Sequence, residues 1–257
     1  MNLPDVKIEN LLDSGVHFGH NTKRWNPKME KYIFGVRNKI HIIDLRITLP
    51  LINTALAKLY EVVVKSGKVL FVGTKKQAAP IVENLSNETD QYFVNKRWLG
   101  GTLTNWKTIS NSINKLIELE QLLSEKNKDT NLSKKELLDF SRERDKLILN
   151  IGGIRNLGGL PDILVSFDSV KDKIALLEAN KLRIPIISIL DTNSDPDIVD
   201  YPIPGNDDAL RSINLYAELF KTTILEAKNN IVIKEKDVKD SNNLDNKNQK
   251  KNQKNKK

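Results

Sequence analysis

The feature that most constrains this fold is a strand, helix, strand order over residues 162–190. Residues 162–166 and 184–190 are short apolar runs typical of strands, and residues 170–180 between them favour a helix. Two strands that a single helix connects lie parallel, with a right-handed crossover. The sequence therefore predicts an α/β protein with a mostly parallel sheet flanked by helices.

Another strand and turn occur earlier in the chain. The apolar run Val69–Val72 lies between Gly67 and Gly73, which predicts a strand buried on both faces. Thr74 and Gln77 have the spacing of a capping box, so a helix is expected to begin at this turn. Such a turn can bind phosphate, but the patterns GxxxxGK with Ser or Thr, and GxGxxG, are both absent. An ordinary turn is therefore favoured over a nucleotide site.

Positive charge is concentrated at the C-terminal end. The net charge is +8 and the pI about 9.4, which indicates a polyanionic partner. Residues 231–257 contain nine Lys against four acidic residues, so residues 1–230 carry only +3. Residues 229–257 form a Lys/Asn-rich tail with too few apolar side chains to offset the entropy of ordering, and disorder is predicted there.

Two features that the sequence lacks reduce the number of functional classes to which the protein can belong. Without cysteine, thiolate catalysis, Cys-ligated zinc and a disulfide framework are excluded. Apolar runs fall short of the ~20 residues that a membrane span needs, and the N-terminus lacks the basic and apolar regions of a signal peptide. We therefore expect a soluble protein with no membrane partner.

Basic and aromatic side chains are concentrated in two segments. Residues 21–39 hold six Lys or Arg against one acid, together with Trp25, and residues 95–107 hold three cations and two Trp without an acid. Lys and Arg bind phosphates, while flat rings stack on bases or pack in the core. Core packing is expected for at least one of the three Trp. The two segments together predict a nucleic-acid surface.

The N-terminal region predicts a β-hairpin followed by a helix. Apolar residues 32–34 and 40–43 flank a basic tip at 35–39, as in a hairpin. Thr48 is the expected N-cap of a helix that continues to about residue 65, with Pro50 tolerated in its first turn.

Residues 104–151 have the pattern of a helical hairpin. Apolar side chains recur with helical spacing on both sides of a polar stretch, and Ser133 with Glu136 forms a capping box where the second helix starts. The apolar stripes are narrow, which favours a protruding, coiled-coil-like antiparallel pair over two surface helices packed on the sheet. Residues 1–103 and 152–228 are then the α/β body.

Two groups of potential metal ligands occur. His17 and His20 are spaced HxxH, but flanking glycines and the lack of a nearby carboxylate pair argue against a metal site. Asp191, Asp195 and Asp197 follow the last long strand, where α/β sheets often bind ligands. These carboxylates are expected to cap their own turns in preference to holding Mg²⁺.

The alternative hypothesis is a metal-dependent nucleotide-binding α/β enzyme that uses those three carboxylates. No nucleophile stands beside a base in a recognisable motif, and all three histidines lie within the first 41 residues. We therefore predict no catalytic residue, no metal, no cofactor and no small-molecule substrate.

Four stretches of the chain together resemble one known family. They are LLDSGVHFGHNTKRWNPKMEKYIFGVRNKIHIIDL, NKRWLGGTLTNW, GGIRNLGGLPDILVSFD and IPIISILDTNSDPDIVDYPIPGNDDALRSINLY. In this order, over about residues 5–228, they are similar to the bacterial small-subunit ribosomal protein S-two family.

That resemblance implies a flavodoxin-like α/β body with a protruding helical hairpin. It also implies small-subunit ribosomal RNA and neighbouring small-subunit proteins as partners, and a role in docking the mRNA-binding ribosomal protein S-one. It implies no reaction and no cofactor, and it implies a ribosome-bound location in the bacterial cytoplasm, or in an organelle if organelle-encoded. The positions inside the matched motifs that are expected to bind RNA are Arg24, Trp25, Lys28, Lys96, Arg97, Trp98, Asn105 and Lys107.

Overall fold

A computed structural model describes residues 3–124 and 133–231. Its helices are α1 (Ile8–Asp13), α2 (Leu45–Val64), α3 (Ala79–Thr89), α4 (Trp106–Leu123), α5 (Lys134–Ile151), α6 (Lys173–Lys181) and α7 (210–231). Its strands are β1 (Phe18–Asn21), β2 (Ile33–Arg37), β3 (Ile40–Ile43), β4 (Val69–Val72), β5 (Tyr92–Val94), β6 (Ile163–Ser166), β7 (Ile186–Leu190) and β8 (Tyr201–Pro204). Short 3₁₀ turns occur at Pro27–Tyr32, Gly152–Ile154 and Pro196–Ile198.

Five strands form the parallel sheet on which the body is built. Their order is β5-β4-β6-β7-β8, and every neighbouring pair is parallel. This is the flavodoxin-like order, in which the direction of strand succession reverses between β4 and β6. The predicted α/β class and parallel sheet are confirmed. Every residue of β4, β6 and β7 is buried, because helices cover both faces of the sheet.

Alternate residues of the central strands enter two separate cores. On one face, Val69 and Phe71 pack with α2 and α7, where Phe220 is buried. On the other face, Leu70 and Val72 pack with α4 and α6. The alternation has the period of two that a strand imposes. With both faces occupied by helices, the loops at the strand ends are the places left for function.

A second, antiparallel sheet has the order β1-β3-β2. The segment that joins β1 to β2 is tied to the carboxyl edge of the parallel sheet, since the backbone N–H of Asn26 donates to the carbonyl of Thr192 at 2.7 Å. Asn38 and Lys39 form the β2–β3 turn with φ angles of 50° and 63°, which suits a two-residue hairpin. The predicted hairpin with a basic tip is therefore confirmed.

The predicted start of α2 is wrong. Asp44 is the N-cap, accepting the N–H of Arg46 at 2.9 Å. Thr48 lies inside the helix and donates to the carbonyl of Pro204 at 2.8 Å, so it ties α2 to β8. Pro50 consequently lies within the helix as well.

The helix after β4 also begins later than predicted. α3 starts at Ala79 without a side-chain cap, so Thr74 and Gln77 do not form a capping box. Instead the Thr74 hydroxyl donates to Asp172 Oδ1 at 2.7 Å. A hydroxyl that finds a buried carboxylate elsewhere in the fold is not available to cap a local helix.

By length and composition alone, α2 is the one helix in the described part of the chain that could cross a membrane. Its apolar side chains are in the core instead: Ile52, Leu56 and Leu59 are fully buried against the sheet. Burial of this kind identifies α2 as a core helix of the α/β body.

The two helices of the predicted hairpin pack against each other. Lys115 of α4 forms an ion pair with Glu143 of α5. The capping box predicted at the start of α5 is present, with Ser133 and Glu136 bonded to each other. The residues 125–132, where the turn is predicted, lie outside the described part of the chain.

The base of the hairpin belongs to the body. Ile109, Ile113 and Leu116 of α4 are buried in the second core, together with Ile151 at the end of α5. How far the remainder projects stays a prediction. At the other end of the chain, α7 continues to residue 231, three residues into the predicted tail, and the rest of the tail lies outside the described residues.

Candidate nucleic-acid interface

Both basic segments lie at the carboxyl edge of the parallel sheet. Lys96 and Arg97 follow β5 directly. Asn26, in the other segment, donates its backbone N–H to the carbonyl of Thr192, which lies two residues after β7. In an open α/β sheet this edge is where ligands bind, since the strand ends and helix starts meet there. The topology therefore places two segments, about 70 residues apart in sequence, at one edge.

A single carboxylate organises the second basic segment. Glu178 of α6 is 9% exposed, and both of its oxygens accept hydrogen bonds from residues 98–104. Oε1 accepts from Trp98 Nε1 at 3.0 Å and from the N–H of Gly101 at 2.7 Å. Oε2 accepts from the N–H of Leu103 at 2.9 Å and from the N–H and hydroxyl of Thr104, each at 3.1 Å.

The charge of Glu178 is what suits it to this position. Burial alone would raise the pKa of its carboxyl, but the indole and backbone donors bonded to it hold the pKa below its usual range. Gly101 can follow the tight path around the carboxylate because its φ is +88°, which glycine adopts without strain. The loop between β5 and α4 is thus held by an anion from a helix 74 to 80 residues away in the chain.

The structure places Trp98, one of the predicted RNA-binding residues, in the core. Its ring is 8% exposed and packs in the second core, and its N–H is bonded to Glu178. Such a ring cannot stack on a base, because that would require leaving the core and breaking a charge-assisted hydrogen bond. Trp106 is half-buried against the same core. The expectation that at least one Trp packs in the core is confirmed.

The charged members of this segment face solvent. Lys96, Arg97 and Lys107 are exposed, and they form no ion pair with any residue in the ranges 3–124 and 133–231. Asn105 is also exposed and precedes α4, where its Oδ1 accepts the hydroxyl of Thr108 at 3.0 Å. The loop therefore offers three free cations and one amide to a partner.

In the first segment the predicted residues divide into free and engaged groups. Arg24 is exposed, and no carboxylate in the described part of the chain pairs with it. Trp25 is 38% exposed, with its ring tilted against His41 at a centroid distance of 5.2 Å. Lys28 is engaged, since its Nζ lies 3.0 Å from Asp195 and 2.6 Å from Asp197.

The acidic side chains of the loop after β7 are paired with basic side chains of this chain. Asp195 and Asp197 share Lys28, while Asp191 holds His20 Nδ1 at 2.8 Å. Asp195 also accepts the N–H of Asp197 at 3.1 Å, which confirms the predicted capping of the loop by its own side chain. Two of the three carboxylates therefore share one lysine, and the third is paired with a histidine.

A partly buried ion network lies beside this loop. His20, Asp191, Asp207 and Asp208 each have one potential ligand atom within 4.8 Å of the others. Those carboxylates already have cationic partners, because Lys75 reaches Asp207 at 2.8 Å and Asp208 at 2.5 Å. His20 bridges Asp191 and Asp208. The sequence analysis considered His20 and Asp191 separately and missed Lys75, Asp207 and Asp208, so it did not predict the network.

Burial shifts the acidities inside the network. It raises the pKa of Asp207 to about 7, with the neighbouring Asp168 adding to the shift. The hydrogen bond to Asp191 raises the pKa of His20. Burial lowers the affinity of Lys75 for a proton, but the surrounding carboxylates outweigh it and raise the Lys75 pKa. The network is therefore a polar, charge-paired anchor between the two sheets.

Comparison with known protein families identifies the family of this chain. The model of the family described as ribosomal protein S2 matches residues 11–227. The chain belongs to the ribosomal protein S2 family. That match spans the α/β body and the paired helices, so it covers most of the described structure.

Relatives in the S2 family are similar over nearly the same span. The small ribosomal subunit protein uS2 of Rickettsia rickettsii (strain Sheila Smith) is 55% identical over 224 residues, 87% of this chain and 76% of the relative. The uS2 of Caulobacter vibrioides (strain NA1000 / CB15N) is 54% identical over 226 residues, 88% of this chain and 84% of the relative. The uS2 of Ehrlichia ruminantium (strain Gardel) is 55% identical over 227 residues, 88% of this chain and 79% of the relative. The family is structural and non-enzymatic, in agreement with the predicted lack of catalysis.

Proposed function

We propose that this chain, by its family a structural constituent of the small ribosomal subunit, binds the ribosomal RNA of that subunit through the carboxyl edge of its sheet. The observation that carries the proposal is a set of exposed cations without a carboxylate partner in the described part of the chain. They are Arg24, Lys96, Arg97 and Lys107.

Several other cations of the surface are engaged by carboxylates of this chain. Lys58 and Lys65 share Glu61, and Lys221 pairs with Glu88. A lysine with no internal partner can bind a phosphate oxygen and release counterions without first breaking an ion pair. The edge cations are therefore available to a polyanion.

The remaining predicted positions are proposed to have smaller roles. Trp25 offers a partly exposed ring that can stack on an unpaired base. Asn105 offers an amide donor to a phosphate or ribose oxygen. Lys28 would first have to leave Asp195 and Asp197, so we expect it to contribute least.

Recovery from lysate with and without RNase tests the proposal. Tagged full-length chain is expected to bring down small-subunit RNA and proteins at moderate salt, and the proteins should be lost after RNase treatment. The variant Arg24→Gln/Lys96→Gln/Arg97→Gln/Lys107→Gln should recover less RNA than a variant with the same charge change at exposed sites of the opposite edge. Wild-type chain that is recovered free of ribosomal RNA would contradict the proposal.

The docking of ribosomal protein S-one is a second part of the proposal. It is supported by the family resemblance, and we assign no residue to it. Small subunits assembled without this chain should retain less S-one than complete subunits, and adding the chain back should restore it. Equal retention in both preparations would remove this part and leave the RNA-binding part standing. We also infer from the bacterial relatives that the chain works on the ribosome in the cytoplasm.

A further inference from the structure

We infer that the pocket between the loops after β4, β5 and β6 binds a phosphate group of the RNA backbone; this inference rests on the proposed function. The pocket has a volume of about 570 Å³. Its lining residues are Thr74, Lys76, Ala79, Pro80, Glu83, Asn95, Lys96 and Lys171. Lys76 and Lys171 stand outside the motifs from which RNA-binding residues were predicted.

The position of the pocket in the sheet supports the binding of a phosphate. β4 and β6 are neighbours, and the order of succession in the sheet reverses between them. At such a reversal the loops leave in opposite directions and open a crevice at the carboxyl ends of the strands, where doubly wound folds bind their ligands. The volume lies within the usual range for ligand sites, about 300–1,000 Å³.

The charge of the lining residues also supports the binding of a phosphate. Lys76, Lys96 and Lys171 come from three different loops, and none pairs with a carboxylate in residues 3–124 or 133–231. Glu83 is the one acid among the lining residues, and the Asn95 amide donates to it at 2.8 Å. Three free ammonium groups thus face one carboxylate that already has a hydrogen-bond partner, which gives the pocket a net positive charge.

The buried groups behind the pocket do not cancel that charge. Asp172 accepts the Thr74 hydroxyl at 2.7 Å, so this carboxylate is covered by Thr74 on the side of the pocket. Lys75, the neighbour of Lys76, is committed to Asp207 in the ion network. The start of α3, whose Ala79 and Pro80 line the pocket, adds the positive end of a helix dipole.

The lining also indicates which part of a nucleic acid would enter. It contains no aromatic side chain on which a base could stack. Lysine ammonium groups recognise phosphate without reading sequence, and the donors of Thr74 and Asn95 are already bonded to Asp172 and Glu83. The pocket is continuous with the proposed interface through Lys96, which belongs to both. We therefore assign it to a backbone phosphate of the same RNA.

The test measures RNA affinity against salt for three forms of the full-length chain. The pocket variant is Lys76→Gln/Lys171→Gln, which keeps Lys96. The control is Lys65→Gln/Lys181→Gln, because both lysines are exposed and precede β4 and β7, at the opposite edge of the sheet. All four positions are exposed, so none of the substitutions opens the core.

The expected result is a fall of about 0.8 in the slope of log affinity against log salt for the pocket variant, at roughly 0.7–0.9 for the one phosphate contact that is lost. The control slope should equal that of the wild-type chain. A wild-type slope in the pocket variant overturns the inference and leaves the proposed function intact. Absence of salt-dependent RNA binding by the wild-type chain would instead refute the proposed function.

A second measurement distinguishes RNA from a free phosphate compound. Pyrophosphate and AMP are titrated into the wild-type chain and the pocket variant by calorimetry, and weak or undetectable binding is expected. Saturable binding of AMP at micromolar concentration, lost in the pocket variant, would overturn the assignment to RNA in favour of a free nucleotide. Lysine acetylation adds an independent check, since Lys76 and Lys171 should be modified in the free chain and protected on the small subunit.

Discussion

Replacing Glu178 by glutamine tests how the basic loop is held in place. The carboxylate accepts two donors at Oε1, from Trp98 and Gly101, and three at Oε2, from Leu103 and Thr104. Glutamine has almost the same shape but only one acceptor oxygen, and its amide N–H₂ would face donors. The substitution therefore removes acceptors without opening a cavity.

The magnitude follows from the number of donors left without an acceptor. In its better orientation the new side chain keeps its oxygen toward Leu103 and Thr104, and the donors of Trp98 and Gly101 lose their partner. Each buried unsatisfied donor costs about 1–3 kcal/mol, so the loss of two partners by Glu178→Gln should lower the free energy of unfolding by roughly 2–6 kcal/mol. Domains are usually stable by ~5–15 kcal/mol, so the variant should still fold.

Urea unfolding at neutral pH, followed by Trp fluorescence and circular dichroism, measures this loss. Glu118→Gln is the matched control, since Glu118 is exposed on α4 and the same change there should stay within about 0.5 kcal/mol. A Glu178→Gln variant that unfolds within about 0.5 kcal/mol of the wild-type chain would refute the reasoning. It would mean that the loop keeps its shape without the anion.

The same pair of proteins also gives a pH test. The pKa of Glu178 is held below its usual range in the folded chain, so its contribution is present above the unfolded pKa, about 4.3, and is lost as pH falls through the folded value. The wild-type chain should therefore lose more stability than the glutamine variant on going from about pH 5 to pH 3. Parallel curves for the two proteins would contradict this account of the shift.

Three further predictions concern the body. A Cβ on Gly153 would overlap a neighbouring backbone carbonyl oxygen, whereas the atom nearest to a Cβ on Gly152 would be 3.5 Å away. Gly153→Ala should therefore lower the free energy of unfolding in urea by about 1–3 kcal/mol, and Gly152→Ala should lower it much less. Equal losses in the two variants would refute the assigned contact. Leu116→Ala should lower the free energy of unfolding by about 2–5 kcal/mol because the Leu116 side chain is fully buried. Leu138→Ala, on the exposed surface of α5, should leave it nearly unchanged. If Leu116→Ala also left it unchanged, the base of the hairpin would not be part of the core. The pKa of Asp207 is about 7 in the folded chain, far above the ~3.9 of the unfolded chain, so the folded state binds an extra proton. Stability should therefore fall as pH rises from 6 to 8, and Asp207→Asn should flatten the curve of stability against pH. A wild-type curve that rises over this range would contradict the raised pKa.

Elements set by local pattern could be predicted from the sequence. The strand, helix, strand unit over residues 162–190, the basic-tipped hairpin before α2 and the capping box of Ser133 and Glu136 all occur as predicted. In each case the signal lies within a few residues, either as an apolar period or as a side chain bonded to its own helix start. The parallel strand order then follows from rules of connection.

Features set by distant partners could not be predicted in this way. Thr48 and Thr74 look like helix caps, but each hydroxyl has a partner far away in the chain, at Pro204 and Asp172. Local spacing carries no information about a bond across 98 or 156 residues. The predicted helix starts were wrong for that reason.

The candidate site shows the same division. The clustering of Lys, Arg and Trp selected two segments that the structure places at one edge of the sheet, but composition could not tell which members had internal partners. Trp98 is engaged by Glu178, and Lys28 by Asp195 and Asp197. Lys76 joins the surface only because the sheet brings its loop beside the β5–α4 loop.

We propose that the exposed, unpaired cations at the carboxyl edge bind the phosphates of small-subunit ribosomal RNA. The most direct test is the salt dependence of RNA binding by Lys96→Gln/Arg97→Gln/Lys107→Gln, beside a control of equal charge change at Lys65, Lys181 and Arg183. We expect the slope of log affinity against log salt to fall by about 2 in the first variant, at roughly 0.7–0.9 per phosphate contact, and to stay unchanged in the control. A slope that is the same in all three proteins would contradict the claim.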